Sequence, residues 1–218
     1  MAVGRHARGP GLAVELIRVA IIDDHPVVSQ GTAAVLRSEP DLAVAGVAAS
    51  LDDARAAGLT DPAHVDVLLL DIRLGTESGL SLLVGDGPSP LPPVIVLTAY
   101  DYPQYADAAL RLGAAGFVLK TAPIAELLDA IRRVAAGGMA FAVRPGVRTI
   151  RLTAREHDVV RLVIDGRSND EIGAELGIGA KTVETHLSRL FERGGIASRT
   201  ELATRALREG WLDVPPRG

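Results

Sequence analysis

The chain contains no cysteine. Disulfides, thiolate metal sites and cysteine nucleophiles are thereby excluded, and a thiol-free chain fits a reducing cytoplasm, the expected location. Aromatic residues are scarce, at 3% of 218 residues, so leucine, valine, isoleucine and alanine must supply the core. Long hydrophobic runs are missing as well. A bilayer span needs roughly 20 apolar residues, and the nearest candidate, GLAVELIRVAII at 11–22, is interrupted by Glu15 and Arg18. No membrane partner is expected. Nor is there a strong excess of one charge. The formal net charge is −4, with 11 Lys+Arg against 16 Asp+Glu over residues 1–147 and 12 against 11 over residues 148–218. Charge alone carries no basic footprint of the kind that marks nucleic-acid binders.

What is present is a rhythm. Short apolar runs rich in β-branched residues occur at 18–23, 42–47, 65–71, 93–98 and 116–120. Runs apolar at consecutive positions suit strands buried on both faces of a parallel sheet. Helical candidates fall at 26–37, 51–58, 79–84, 103–111 and 123–137, the last with Pro123 in its first turn and Gly137-Gly138 at its stop. This predicts an α/β domain over residues 18–137, a doubly wound five-stranded parallel sheet in the flavodoxin-like order 2-1-3-4-5. Residues 1–17 read as a tail and 138–149 as a linker.

Residues 150–218 read as a small all-α domain. Leu152, Val159, Leu162 and Val163 form one stripe, and Thr153/Glu156, Ser168/Glu171 and Ser198/Glu201 have the spacing of capping boxes at three helix starts. A glycine-containing turn at 177–180 leads into a helix that stops near Gly194-Gly195. Short helix, tight turn and second helix make a helix-turn-helix pattern within four helices.

The chemistry gathers at strand ends. In VAIIDDHP, Asp23 and Asp24 close the first strand, where adjacent carboxylates repel and call for a positive partner. The plain alternative is a solvated turn before Pro26. In the order 2-1-3-4-5, Asp71 at the end of the third strand shares their crevice, with Thr98 and Lys120 ending the fourth and fifth. Three hard carboxylates suit Mg²⁺. A carboxylate there can also attack phosphorus and form an aspartyl-phosphate, with Mg²⁺, Lys120 and the Thr98 hydroxyl neutralising the transferred group. Each residue alone could be a cap, an ion-pair partner or an ordinary strand residue. Five of them at matching strand ends fit a pocket better.

On IIDDHP, DVLLLDIRL, VLTAYD and GFVLK, residues 18–137 resemble a response-regulator receiver domain. On LTAREHDVV, RSNDEIGAELGI and KTVETHLSRL, residues 150–212 resemble a LuxR-type helix-turn-helix domain. Together they resemble the NarL/FixJ group of bacterial two-component transcription factors. The resemblance implies that Asp71 is the phosphoacceptor, Asp24 the nearest metal ligand, Asp23 a ligand acting partly through water, and the Arg73 carbonyl the last protein ligand. It implies that Thr98 follows the phosphoryl group, with small Ala99 beside it, and that Phe117 is the switch aromatic. The implied partners are a sensor histidine kinase, double-stranded DNA and a second copy in an active homodimer. A closed state hiding the recognition helix against the receiver rim is also implied.

In AKTVETHLSRLFERG, Val183, Leu187 and Leu190 form a buried stripe. That leaves Lys181, Thr182, Glu184, Thr185, Ser188, Arg189 and Arg193 for DNA. Three positions depart from the family pattern. Gly75 replaces a proline. Glu184 stands where lysine is common, and either accepts from cytosine N4 or pairs with Lys181 or Ser188. Gly194 replaces a leucine, so the helix is expected to end early and pack less well. The last helix, with Leu202, Ala206 and Trp211, either supports dimerisation or simply closes the four-helix core.

The expected function is a transcriptional regulator in a two-component phosphorelay, phosphorylated on Asp71 with Mg²⁺ to control DNA binding and dimerisation. No enzymatic activity beyond self-catalysed phosphoryl acceptance is expected. The alternative is an orphan regulator of the same fold, controlled by a ligand or by dimerisation. An aspartyl-phosphate phosphohydrolase needs its acid/base two residues from the nucleophile on the first strand, and DDH lacks that spacing.

Overall fold

The computed structural model describes residues 16–84, 90–141 and 150–216. Expectations for the tail before residue 16 and for 142–149 of the linker lie outside the described residues. The elements run β1 (Ile17–Ile22), α1 (Pro26–Ser38), β2 (Leu42–Ala48), α2 (Leu51–Ala56), β3 (Val67–Leu70), β4 (Arg73–Leu74), β5 (Glu77–Ser78), α3 (Ser81–Val84), β6 (Val94–Thr98), α4 (Pro103–Arg111), β7 (Gly116–Leu119), α5 (Ile124–Ala135), β8 (Ala140–Phe141), α6 (Ala154–Ile164), α7 (Asn169–Leu176), α8 (Ala180–Gly194) and α9 (Arg199–Glu209).

Strand side chains alternate between faces. Val19 and Ile21 of β1 join one core with Ala33 and Leu36 of α1 and Leu127, Ile131 and Val134 of α5. Ala20 and Ile22 join the opposite core with Leu51 and Ala54 of α2. Further along that second face, Val96 and Phe117 pack with Tyr105, Ala108 and Ala109 of α4. A strand buried on both sides must be apolar throughout, which is why β3 reads VLLL and every residue of β6 is buried.

The sheet is parallel, in the order β2-β1-β3-β6-β7-β8. Its first five strands have the expected order 2-1-3-4-5. The sixth is an addition: Ala140 and Phe141, expected in the linker, pair with Gly116 and Phe117 and extend the edge. Two residues carry too little pattern to read as a strand in sequence. Pro123 serves as the N-cap of α5 rather than sitting in its first turn.

Helices α6 to α9 enclose a separate core of Leu152, Val159, Leu162, Val163, Ile172, Val183, Leu187, Leu190, Leu202, Ala206 and Trp211. Helix α9 therefore closes the four-helix core. The capping boxes at Thr153 and Ser168 form completely. The third forms by half: Ser198 accepts from the Glu201 N–H, but Glu201 turns its carboxylate to the N–H of Ala197.

Gly194 overturns an expectation. A Cβ built there would lie 2.8 Å from Ile196 Cδ1 and 2.9 Å from Ile150 Cδ1. The position is tightly packed, and α8 continues through it to a left-handed cap at Gly195.

The two domains touch through α4 and the β4–β5 hairpin on one side and the end of α9 with the chain beyond it on the other. Arg151 pairs with Asp107 at 2.7 Å, and Gln104 donates to the carbonyl of Glu209. Val214 packs against the core that holds Tyr105 and Phe117. Among the described residues, no helix is long and apolar enough to cross a membrane.

Candidate functional site

Strand order decides which carboxylates meet. Asp23 and Asp24 follow β1, Asp71 follows the neighbouring β3, Thr98 ends β6, and Lys120 follows β7. All lie at the carboxyl rim of the sheet, the usual ligand side of an open α/β fold. One ligand atom from each of Asp23, Asp24, His25 and Asp71 falls within 4.8 Å of the others.

Asp23 and Asp71 are buried. Lys120 donates to Asp71 Oδ2 at 2.7 Å and pairs with Asp23 Oδ2 at 2.8 Å. Asp71 Oδ1 accepts the Ile72 N–H at 2.8 Å, and Asp23 Oδ1 accepts the His25 N–H at 2.9 Å. Asp24 Oδ2 accepts the Gly75 N–H at 2.8 Å, which ties the loop after β3 and Asp71 to the first acidic turn. Burial pushes the Asp71 carboxyl above the usual range, with Asp23 adding to the shift and Lys120 opposing it. Burial alone would lower the Lys120 ammonium, but contacts with Asp23 and Asp71 hold it above its ordinary value.

Three carboxylates against one ammonium leave a negative excess. Two buried oxygens, Asp23 Oδ2 and Asp24 Oδ1, accept no well-aligned hydrogen bond; their closest neighbours, Lys120 and His25, are ion-pair contacts at 2.8 and 2.7 Å. Hard, anionic oxygens crowded at a small separation with an excess of negative charge fit a divalent cation.

The remaining expected residues fall around this centre. Thr98 is fully buried and its Oγ1 accepts the Tyr100 N–H at 3.3 Å. Phe117 is buried beside Ile72 and Tyr105. The Arg73 side chain turns from the acids toward Asp213, stacking on the Tyr100 ring at 4.2 Å.

The sequence reading passed over Gly79, whose missing Cβ would sit 1.9 Å from the Asp71 carbonyl. Only glycine lets the hairpin fold back so closely against the Asp71 backbone. The Gly in DIRLGTESG was the available signal. His25 and Asp213 were also missed. His25 follows the acids directly, whereas nothing in sequence links Asp213 to a loop 140 positions earlier.

On α8, Val183, Leu187 and Leu190 are buried, and Lys181, Thr182, Glu184, Thr185, Ser188 and Arg189 are exposed. Glu184 pairs with Lys181 at 2.8 Å, the plainer of its two readings. Arg193 departs from expectation. The residue is exposed, but its guanidinium is engaged within the domain, donating to both oxygens of buried Glu156 at 3.0 and 2.9 Å and to the Arg151 carbonyl at 3.1 Å. Among the described residues the receiver contacts the end of α9, and the outward side chains of α8 are exposed, so this arrangement does not cover the helix.

A family model for the response regulator receiver domain matches residues 19–132, and one for bacterial regulatory proteins of the luxR family matches residues 151–206. Over 205 residues the chain is 39% identical to the transcriptional regulatory protein UhpA of Salmonella typhimurium, covering 90% of this chain and 100% of that one. It is 34% identical over 213 residues to the probable transcriptional regulatory protein NarL of Mycobacterium tuberculosis, covering 91% and 97%. Among solved structures, RcsB of Salmonella enterica serovar Typhimurium, bound to promoter rprA in the presence of phosphomimetic BeF3−, has a likeness of fold. The TM-score is 0.57 at 24% identity, covering 87% of this chain and 98% of that one.

Proposed function

The chain belongs to the response regulators of the NarL/FixJ group, a receiver domain followed by a LuxR-type helix-turn-helix domain, and from this premise we propose that Asp71 is phosphorylated to control DNA binding and dimerisation. The observation that carries the proposal is the crowding of Asp23, Asp24 and buried Asp71 at one rim, three carboxylates facing the single ammonium of Lys120.

Asp71 attacks the phosphorus of a sensor kinase's phosphohistidine or of a small phosphodonor. An O–P bond forms at the Asp71 carboxylate while the bond to the donor breaks and its electron pair leaves with the donor. Asp23, Asp24, Asp71 and the Arg73 carbonyl would hold Mg²⁺, which when bound supplies charge neutralisation for the phosphoryl oxygens. Lys120, already within 2.7 Å of Asp71, adds a second positive charge at the same rim. Thr98 holds its hydroxyl on the next strand. A new bond from it to the phosphoryl group exists only in the phosphorylated state, and so biases the loops on which it acts.

The output surface is α8, with Lys181, Thr182, Glu184, Thr185, Ser188 and Arg189 available to double-stranded DNA. The active assembly is a homodimer. No chemistry beyond accepting the phosphoryl group is assigned to the chain, and its place of action is the cytoplasm.

The test is intact-mass measurement after incubation with Mg²⁺ and acetyl phosphate, with Asp71→Asn alongside. One added phosphoryl group on the wild type alone is the expected result. A folded, Mg²⁺-binding protein that takes none from either acetyl phosphate or a kinase would instead establish the orphan reading.

A further inference from the structure

One residue of the DNA-binding domain, Asp213, contacts the hairpin after Asp71 directly and reaches the loop after Thr98 through Arg73. Asp213 Oδ2 accepts from Arg73 Nε at 3.0 Å, and Arg73 Nη2 lies 2.9 Å away. The Tyr105 hydroxyl donates to the same oxygen, and the Ser78 hydroxyl donates to the Asp213 carbonyl. Arg73 and Ser78 are the two ends of the β4–β5 hairpin, paired with each other across it. The same hairpin carries Gly75, whose N–H holds Asp24. On the other side, Arg73 stacks on Tyr100, whose N–H holds Thr98, and Tyr105 begins the body of α4. Two physical paths therefore lead from Asp213 to the pocket, one through the hairpin to Asp24 and one through Tyr100 to Thr98.

We infer that Asp213 is a positioning residue for the phosphoacceptor pocket, holding the hairpin and the Thr98 loop in the arrangement of the unphosphorylated protein until the DNA-binding domain lets go. This rests on the phosphorylation proposed above and adds to it a named residue, in the other domain, that sets the rate. Coupling between two sites is reciprocal. Rearrangement of the hairpin on phosphorylation loosens Asp213, and loss of the Asp213 contacts makes the pocket easier to rearrange.

A second interdomain pair serves as the control. Arg151–Asp107 also bridges the two domains, from the middle of α4, and contacts neither the hairpin nor the loop after Thr98. The experiment compares full-length wild type, Asp213→Asn, Tyr105→Phe and Asp107→Asn by amide hydrogen exchange over residues 73–79 and 98–102. The rate of phosphoryl uptake from acetyl phosphate at saturating Mg²⁺ is measured in the same proteins. Asp213→Asn is expected to speed both about fivefold or more, the low end of ordinary couplings between sites. Tyr105→Phe should move both in the same direction by less, and Asp107→Asn should change neither more than about twofold. Unchanged exchange in Asp213→Asn overturns the inference, as does an equal effect from Asp107→Asn, which would make the contact ordinary docking. Should the wild type take up no phosphoryl group, the phosphorylation reading falls, and the exchange data alone then decide whether Asp213 holds the loops.

Discussion

Asp23, Asp24 and Asp71 bring three negative charges to a pocket that holds one ammonium. Such a site is built against stability, since like charges are held together with fewer positive than negative groups among them. In metal-free buffer Asp24→Asn should therefore raise the melting temperature, by roughly 2–4 °C per kcal/mol of relieved repulsion. Saturating Mg²⁺ should reverse the order of the two proteins, because only the wild type keeps the full donor set. Thermal melts with chelator and with Mg²⁺ decide it, and a wild type that melts higher in both would contradict the charge argument. Glu156 behaves in the opposite way. Burial alone would raise its carboxyl, but Arg193 and the Thr153 contacts hold it below the usual range. A carboxylate with a depressed folded pKa contributes stability above its unfolded value and loses it as pH falls through the folded one. The helical domain should thus weaken as pH drops below about 4.5, the ordinary glutamate value. Glu156→Gln should flatten that dependence and cost about 2 kcal/mol at neutral pH, less than a fully buried pair because Arg193 is partly exposed. Urea unfolding across pH measures both.

At the scale of the element, α8 combines a firm inner stripe with an outer face of mixed charge. Gly194→Leu gains helix propensity, which in an open position would stabilise by nearly 1 kcal/mol. Ile196 and Ile150 already fill the space a side chain would enter, so overpacking by about 1–3 kcal/mol should win. A denaturant midpoint that rises instead would mean that the two isoleucines move aside freely. On the outer face, Glu184→Lys removes the partner of Lys181 and turns an anion into a cation. Non-specific affinity for duplex DNA should rise, and the slope of log affinity against log salt should steepen by about one. Fluorescence anisotropy over a salt series reads the slope directly. No change in it would place residue 184 away from the phosphates.

At the scale of the whole molecule, the proposed DNA-reading face of α8 lies apart from the surface that the receiver contacts. The receiver leaves the outer face of α8 open and occupies the end of α9, through Gln104 on the Glu209 carbonyl and Asp213 on the hairpin. Restraint of DNA binding by the receiver should then act on association of two copies rather than on a single base-reading face. The helical core is self-contained, so a 148–218 fragment provides the comparison. Fragment and unphosphorylated full chain should bind a single half-site equally. The fragment should bind paired half-sites more tightly, and gel shifts on the two DNAs distinguish them. A fragment that wins on the single site as well would mean that the receiver also shields α8.

Much of this was legible in the linear chain because the underlying rules are local. Consecutive apolar residues in VLLL and VIVLT mark strands buried on both sides, and right-handed crossovers leave few orders for five of them. Once that order is written down, Asp23, Asp24, Asp71, Thr98 and Lys120 must share one rim. Hydroxyl and carboxylate three residues apart announced the helix starts at Thr153 and Ser168 for the same reason. What the tertiary structure alone decided are the matters in which distant side chains compete for one partner. Arg193 looked like a phosphate contact on its own helix, yet buried Glu156, 37 positions earlier, claims it. Gly194 looked like a packing defect until Ile150 was seen to fill the space. Asp213 is an unremarkable acid near the chain's end, and it meets Arg73, Tyr105 and Ser78 only because two separately folded cores are docked. Local periodicity determines elements and their order; charge pairing and contact between domains depend on where those elements come to rest.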